Sequence, residues 1–241
     1  MTQSRLEALE KSVAKLLAVH EIQNLMGRMT YMFEAGMYEE MLGMFAQKTP
    51  GVTAEMAQFG QRQGLEGARE LIVDFWVNQY KRHEEQMCRL YPEDANETGR
   101  NGVMDLQALS SPVIEVADDM QTAKGMWYAP SVATECHPGE DMPTGHLVWL
   151  KFAVDFVNED GQWKIWHYHI LPHFNTSYDK SWVESSVEME KMFASMPPEA
   201  LEAFAPKGPV TAYHAYSVHE PPAFDPKPPE PYFTFSETFS Y

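Results

Sequence analysis

The chain is poor in basic residues and in cysteine, and it has no long apolar run. Among 241 residues, 35 acidic side chains outnumber 18 basic ones, which gives a formal net charge of −17. Such a charge disfavours nucleic acids and anionic membrane surfaces as partners. No window is long enough to span a bilayer, and the first residues lack the basic and then apolar layout of a signal peptide. We therefore predict a cytoplasmic protein that binds neither nucleic acid nor membrane.

Several chemical motifs are also missing. The two cysteines, Cys88 and Cys136, lie in unrelated contexts, so we expect two free thiols rather than a disulfide. The sequence shows no cluster with zinc-ligand spacing, no glycine-rich phosphate loop and no nucleophile elbow. These absences disfavour nucleotide, flavin and acyl-enzyme chemistry, and they predict a site with neither metal nor cofactor.

The most informative segment is residues 145–174, which read GHLVWLKFAVDFVNEDGQWKIWHYHILPHF. Asp160-Gly161 joins two alternating runs, and an Asp-Gly pair at such a place predicts a tight β-hairpin. The runs are too rich in Trp, His, Tyr and Lys to form only an apolar core. Such a surface is suited to hold a small aromatic organic molecule, which is the substrate class that we predict.

The remaining pattern indicates an α+β fold. Helical spacing predicts a lead helix over 3–19 and a second helix over 20–34 that stops at Ala35-Gly36. The lead helix has an apolar stripe consisting of Leu6, Leu9, Val13, Leu16 and Leu17. A short helix over 38–45, a strand over 51–58, a long helix from Leu65 towards Arg89 and several antiparallel strands follow. This order predicts helices on one side of a curved sheet.

The end of the chain has a different composition. Residues 181–195 predict one more helix, and residues 197–241 mix prolines with tyrosines and phenylalanines. That mixture favours an extended arm pressed against a surface of its own domain or of a neighbouring subunit. We therefore divide the chain into a domain over 1–178 and a C-terminal helix and arm over 179–241.

Four segments together resemble the nuclear transport factor 2-like superfamily in its SnoaL-like branch. They read HEIQNLMGRMTYMFEAGMYEEMLGMFA, VTAEMAQFGQRQGLEGARELI, SPVIEVADDMQTAKGMWY and VDFVNEDGQWKIWHYH, in the family order across about 18–174. The resemblance implies a cone-shaped α+β barrel, in which a curved sheet wraps a long helix around a deep pocket. It also implies a homodimer or homotrimer, formed through the sheet and the arm. Since relatives include isomerases, dehydratases, cyclases and binding modules, the chemistry must come from the residues that line the pocket.

The chain departs from its relatives at several positions. Met29 stands where the enzymes often have a tyrosine, with Tyr31 two positions on, and Glu34 matches the acidic position of the dehydratases. The histidine before the strand LSSPVIEV is absent, and Pro172 replaces an arginine of bile acid dehydratase. A direct copy of that dehydratase is therefore not expected.

Glu55 falls at the position of the proton-shuttling carboxylate of ketosteroid isomerase. A carboxylate that faces an apolar cone is poorly solvated, which raises its pKa towards a range useful for proton transfer. An exposed glutamate at a strand edge is the structural alternative.

Alternation divides the side chains of the two long strands between two faces. When the strands of the family are aligned with this alternation, four side chains are predicted to point towards the pocket, namely Trp149, Lys151, Trp166 and Tyr168. His167 and His169 then lie on the opposite face, at a possible subunit interface. Because one bulge reverses the assignment, His169 remains a candidate proton donor.

Three further residues have a functional and a structural interpretation. Lys151 is either an anchor or base for a phenol or a surface lysine with an apolar stem. Tyr31 is either an acid near the pocket or a helix-packing tyrosine. His83 either covers the pocket mouth or ends a solvated helix.

Together these features predict a cofactor-independent lyase that acts by acid–base chemistry on an aromatic alcohol. The WKIWHYH segment, the arm and the aromatic residues resemble the diarylpropane lyases of this superfamily, which release formaldehyde from lignin-derived diols and leave a stilbene. The candidate catalytic residues are Glu55, Tyr31, Lys151 and His169. The candidate substrate-binding residues are Trp127, Trp149, Trp166, Tyr168, His83 and Phe174. An isomerase, dehydratase or cyclase of a steroid-like or polyketide-like substrate and a non-catalytic binding or assembly module remain alternatives.

Overall fold

The first helix, α1, spans Gln3–Ala35 without interruption in a computed structural model that describes residues 3–94, 100–136, 139–195 and 205–236. The predicted break between residues 19 and 20 is wrong, because no glycine or proline lies there to interrupt the helix. The predicted stop is confirmed. Gly36 takes a positive φ of 73° after the helix, a conformation that glycine adopts without steric cost.

Shorter helices follow. Helix α2 is Tyr38–Leu42, α3 is Gly64–Arg69 and α4 is Phe75–Leu90. A π-helical turn over Glu70–Asp74 joins α3 to α4, so the predicted long helix is continuous but locally widened. A 3-10 turn over Pro92–Asp94 ends this region, and α5 is Trp182–Ser195.

Seven strands of the described residues form one sheet. They are β1 Thr53–Met56, β2 Gly60–Gln63, β3 Asp105–Gln107, β4 Ser110–Val116, β5 Thr122–Glu135, β6 Thr144–Glu159 and β7 Gln162–Ser177. Their order is β2-β1-β7-β6-β5-β3, with β4 also paired to β5. All pairs are antiparallel except β1 with β7. The predicted α+β cone is therefore confirmed, with one parallel pair in a sheet expected to be antiparallel.

The predicted hairpin joins β6 to β7. Asp160 and Gly161 both have positive φ, 53° and 83°, as the tightest hairpin turns require. The pairing register between β6 and β7 shifts twice, between Trp149 and Leu150 and between Asp155 and Phe156. On β7 these shifts leave His173 and Trp166 as the extra residues, and each bulge changes which side chains face inward.

The concave face of the sheet packs on the helices. Buried residues of α1, α2 and the π-helical turn meet Trp127, Phe152 and Tyr168 from β5, β6 and β7 in one apolar core. The convex face is the other side of the same three long strands.

The arm, described over 205–236, lies on the convex face of its own sheet. Its carbonyl oxygen at Pro209 accepts from the Gln61 backbone N–H (2.9 Å), and its Tyr216 N–H donates to the His173 carbonyl (2.8 Å). Further along, the Tyr232 carbonyl accepts from the Asp118 N–H (3.0 Å). Of the two expected docking surfaces, the described residues use the chain's own domain.

Candidate active site

A narrow cavity lies between α1 and the concave face. Its walls are largely methionine, aromatic and aliphatic side chains, with two polar ones: Met26, Met29, Thr30, Phe33, Met41, Ile72, Trp76, Gln107, Phe152, Tyr168 and Ile170. The space open to the centre of a water molecule is about 20 Å³. That volume holds about one or two waters, so a larger ligand requires the walls to move.

Four polar residues lie next to aromatic residues of the cavity wall, and we call them the mouth cluster: Tyr38, Tyr80, Arg100 and Asp105. Asp105 is on the same side of β3 as the cavity residue Gln107, two positions away. Tyr80 follows the cavity residue Trp76 by one helical turn, and their ring centres are 6.3 Å apart. The short strand and the long helix therefore carry the cluster to the edge of the cavity.

The members of the mouth cluster hold one another in place. The Tyr80 hydroxyl donates to the Asp105 carboxylate, and the Tyr80 ring stacks on that of Tyr38 with centres 5.9 Å apart. Arg100 donates to the Tyr38 hydroxyl (3.1 Å) and to the carbonyl oxygen of Glu34 at the end of α1 (2.8 Å). Its guanidinium also lies 4.3 Å from the centre of the Tyr80 ring.

The electrostatics of the cluster favour proton transfer at Asp105. Burial raises the pKa of its carboxyl to about 6, although the hydrogen bond from Tyr80 and the charge of Arg100 oppose this shift. Burial and the nearby Asp105 charge raise the pKa of Tyr80, so this phenol stays protonated. A carboxyl that titrates near neutral pH beside an apolar cavity is suited to act as a general base or acid.

Tyr168 is the sequence-predicted residue that the structure places in the cavity wall. Burial raises the pKa of its phenol, which keeps the hydroxyl protonated. Within the part of the chain that the structure describes, this hydroxyl makes no hydrogen bond and is available to a ligand. Trp127 is also on the concave face, but it is buried against Phe156 with ring centres 6.2 Å apart rather than in the cavity wall.

Glu55 lies on the convex face, so the expectation that it faces the cone is wrong. It is paired across the sheet with His169, whose neighbours Tyr168 and Ile170 point into the cavity. The His169 Nδ1 donates to the Glu55 carboxylate (2.5 Å), and Thr211 of the arm donates to it from its N–H (2.7 Å) and its hydroxyl (2.6 Å). Burial alone would raise the pKa of Glu55, but these hydrogen bonds lower it below the ordinary value.

Lys151 is also on the convex face, contrary to the predicted register. Phe152, next to it in β6, points into the cavity, and the Lys151 Nζ donates to the Asp225 carbonyl of the arm (3.1 Å). Burial lowers the pKa of its amine. The alternative of a surface lysine is equally wrong, because the arm leaves only 5% of the residue exposed.

Two of the predicted helix residues lie away from the cavity. Tyr31 is 75% exposed on the outside of α1. His83 is buried in α4, where its Nε2 donates to the carbonyl oxygen of Asn101 (3.0 Å).

The two bulges explain why three aromatic side chains that were predicted to line the cavity do not line it. Trp149 and Phe174 are cross-strand partners outside the first bulge, and Phe174 stacks on Trp182 of α5 at 5.6 Å. Trp166 is the extra residue of the second bulge, and its indole N–H donates to the Pro50 carbonyl (2.8 Å). His167 is on the convex face, as the alternation predicts.

A second buried charge group lies near Trp166. Lys124 donates to one oxygen of Asp155 (2.7 Å), and the His167 Nδ1 donates to the other (2.8 Å). Phe235 of the arm covers this group, with the Lys124 Nζ 5.1 Å from its ring centre. Burial alone would raise the pKa of Asp155, but the hydrogen bond from His167 and the charge of Lys124 lower it.

The sequence interpretation missed the mouth cluster. The available signals were the alternation of Asp105 and Gln107 in a short strand and the one-turn spacing of Trp76 and Tyr80. Neither signal reveals that Arg100 and Tyr38 join them.

Two other kinds of feature are absent from the described residues. Across the described ranges, no three or more His, Cys, Asp or Glu side chains are grouped so that they would hold a metal ion. No helix among the described residues has the length and apolar character to cross a membrane.

Known structures share this fold. The crystal structure of LinA aligns with a TM-score of 0.52 at 12% identity, covering 71% of this chain and 96% of that one. A hexachlorocyclohexane dehydrochlorinase, LinA-type3 from Novosphingobium barchaimii LL02, aligns with a TM-score of 0.50 at 11% identity, covering 69% and 93%. At these identities the likeness shows the fold alone.

The sequence comparisons assign the family. No curated protein sequence matches the chain. The family model described as the SnoaL-like domain matches residues 14–169, which is more than half of the chain. The chain belongs to the SnoaL-like domain family.

Proposed function

We propose that this protein is a cofactor-independent lyase of the dehydratase type, acting on a small aromatic alcohol. The observation that carries the proposal is Asp105, a carboxyl with a pKa of about 6 at the edge of an apolar cavity. Phe33, Trp76 and Phe152 in the cavity wall offer aromatic surface to a substrate ring.

In the proposed reaction, Asp105 is ionised at neutral pH and removes a proton from the carbon next to the one that bears the hydroxyl. The C–H electron pair forms the double bond while the C–O bond breaks. The hydroxide leaves with the proton that Asp105 received, so the products are an alkene and water. Such positioned proton transfer contributes about 10²–10⁴-fold to a rate.

Other residues position the groups. Tyr80 holds the Asp105 carboxylate, and Arg100 lies close enough to favour its charge. The protonated Tyr168 hydroxyl offers a hydrogen bond to the leaving oxygen from the cavity wall. Gln107 and Thr30 are further polar groups that a substrate meets there.

The size of the cavity requires the walls to move even for a one-ring substrate. Three of the lining side chains are methionines, which change rotamer readily and fill irregular space. Rotation of Met26, Met29 and Met41 would enlarge the cavity without moving the sheet.

The finer proposal is a lignin-derived diarylpropane diol as substrate. The benzylic hydroxide leaves as water with the proton of a para phenol on the same ring, which gives a quinone methide. The hydroxymethyl O–H then gives up its proton and the adjacent C–C bond breaks, so that formaldehyde leaves. The electrons of that bond form the stilbene double bond and restore the ring as a phenolate, which takes up the proton. The aromatic walls of the cavity support this choice, and its two-ring length requires the methionine movement.

The test is to incubate the purified chain, without added cofactor, with one-ring aromatic alcohols and with a diarylpropane diol. Alkene or stilbene absorbance and formaldehyde are measured over a pH series. We expect turnover whose kcat/KM rises with pH through about 6, as Asp105 ionises.

Two controls make the test specific. Asp105→Asn removes the base, and Asp74→Asn makes the same change at an exposed position of the π-helical turn. Equal activity of both variants would contradict the role of Asp105. Turnover of a ring ketone but of no alcohol would favour an isomerase, and ligand binding without turnover would favour a binding module.

A further inference from the structure

The first half of α1 has an apolar face that its own domain does not cover. Its residues Leu6, Leu9, Val13, Leu16 and Leu17 are between 41% and 70% exposed. All five lie within two heptads of one helix, so they form one stripe rather than scattered apolar residues.

This stripe lies opposite the face that packs on the core. The second half of α1 buries Ala18, Ile22, Met26, Met29 and Phe33. At about 100° per residue, the nine steps from Leu9 to Ala18 turn the helix through about two and a half turns. Leu9 therefore points about 180° away from Ala18, and the stripe cannot be an extension of the chain's own core.

Ion pairs fix this orientation. Lys15 and Lys11 both reach Asp118, in the turn between β4 and β5, at 2.7 Å and 3.5 Å. Lys15 and Lys11 precede Ala18 by three and seven positions, spacings that bring residues to the same side of a helix, so the lysines belong to the core side of α1. The stripe is consequently held towards solvent.

The spacing of the stripe is that of a coiled coil. Leu6, Leu9, Val13 and Leu16 follow the steps of three, four and three residues that define alternating a and d positions. Val13 at an a position with leucines at both d positions favours a parallel, two-stranded arrangement.

The flanking charges select the partner. Arg5 takes a g position and Glu10 the following e position, which face each other between the chains of a parallel coiled coil. In an antiparallel pair, g positions face g positions and e positions face e positions, so these two charges would not meet.

We infer that the N-terminal half of α1 is a docking surface for a second copy of this chain, joined as a parallel coiled coil over residues 5–17. The two copies bury their leucine stripes against each other, and Arg5 of each pairs with Glu10 of the other. The cavity and the mouth cluster take no part in this contact.

The test uses the full chain. Sedimentation across a dilution series gives the mass in solution, and we expect twice the chain mass of 27.6 kDa at high concentration. Leu9→Glu places two carboxylates in the apolar seam and should raise the dimer dissociation constant by at least about 10-fold. The matched control, Ala8→Glu, adds the same charge to the neighbouring exposed residue outside the stripe.

Cross-linking tests the parallel register. In a chain that carries Cys88→Ser, Leu9→Cys brings two thiols together at a d position, where a disulfide can form. Ala8→Cys is the control, and it should run as a monomer in a denaturing gel without reductant. Charge reversal adds a second readout, because Arg5→Glu should weaken the dimer and the added Glu10→Arg should restore it.

A monomeric mass at every concentration would overturn the inference. Equal weakening by Leu9→Glu and Ala8→Glu would do the same, since the stripe would then have no special role. Failure of Leu9→Cys to cross-link in a chain of dimeric mass would overturn the parallel arrangement. Both leucine variants should keep the parent circular dichroism, because Leu9 contributes nothing to the apolar core.

Discussion

The two faces of the sheet bury carboxylates in opposite ways. On the concave side, Asp105 is held by Tyr80 and Arg100, and its pKa rises to about 6. On the convex side, Glu55 and Asp155 are more deeply buried, at 1% and 0% exposed, yet their pKa values fall. Burial alone therefore does not prepare a carboxylate for proton transfer.

The number of donors explains the difference. Glu55 accepts three hydrogen bonds, from His169 and twice from Thr211. Asp155 accepts bonds on both oxygens from cationic or polar partners that are buried with it. Such donors stabilise the charged form more than desolvation destabilises it. We conclude that the convex face uses its charges to hold the arm and the sheet, while the concave face keeps a carboxyl that can change its charge.

The largest expected effect is on catalysis at the concave face. Asp105→Asn should lower kcat by about 10⁴-fold, because the amide cannot accept the substrate proton. Its free energy of unfolding should change little, since the amide still accepts the bond from Tyr80. Steady-state kinetics and urea denaturation measure the two quantities. If Asp105→Asn lowers the free energy of unfolding strongly as well as kcat, the proposed contrast between the two faces is contradicted.

Next in size is the effect on stability at the convex face. Asp155→Asn removes the carboxylate that accepts hydrogen bonds from the buried Lys124 and His167, and this should lower the free energy of unfolding by about 3–5 kcal/mol. Urea denaturation measures the change. Asp119→Asn, a change of the same type in the turn before β5, is the control. Equal stability of the two variants would show that the buried pair does not support the fold.

A smaller effect tests the link between the arm and Glu55. Thr211→Val removes a hydroxyl that donates to a buried carboxylate, which should lower the free energy of unfolding at neutral pH by about 1.5–3 kcal/mol. The pKa of Glu55 is lowered in the fold, so its contribution is present above the unfolded value and is lost as pH falls through the folded one. The difference between variant and parent should therefore shrink in acid. A pH-independent difference would contradict this account of the arm.

The smallest effect concerns the cavity wall. Tyr168→Phe removes a hydroxyl that is free to bond a substrate, and we expect a loss of about 10-fold in kcat, or about 1.4 kcal/mol of transition-state stabilisation. Tyr128→Phe, on the convex face near Lys151, is the matched control. If both variants keep the parent rate, the leaving group is not held by Tyr168.

Local signals predicted much of the fold. The Asp160-Gly161 turn and the helix end at Gly36 depend on a few neighbouring residues, so the sequence was sufficient for both. The orientation of Lys151 was not predictable in this way, because the bulges at Trp166 and His173 depend on packing against residues far along the chain. For Glu55 the sequence left a pocket-facing carboxylate and an exposed one as alternatives, because its face depends on the register between β1 and β7.

The candidate site was harder to predict than the fold. Tyr168 was identified from strand alternation together with the family resemblance, which assigned one face of the strand to the pocket. Asp105 was not identified, because its properties come from Tyr80, 25 residues earlier, and from Arg100. Short-range sequence patterns do not reveal that Asp105, Tyr80 and Arg100 come into contact in the fold.

The most direct measurement is the pKa of the Asp105 carboxyl in the folded chain. Carbon-13 NMR of labelled aspartate side chains follows each carboxyl through a pH titration, and the resonance missing from Asp105→Asn assigns the signal. We predict an apparent pKa of about 6 for Asp105, well above that of Asp155. An Asp105 value at or below the ordinary 3.8 would contradict the proposal that the concave mouth is the site of proton transfer.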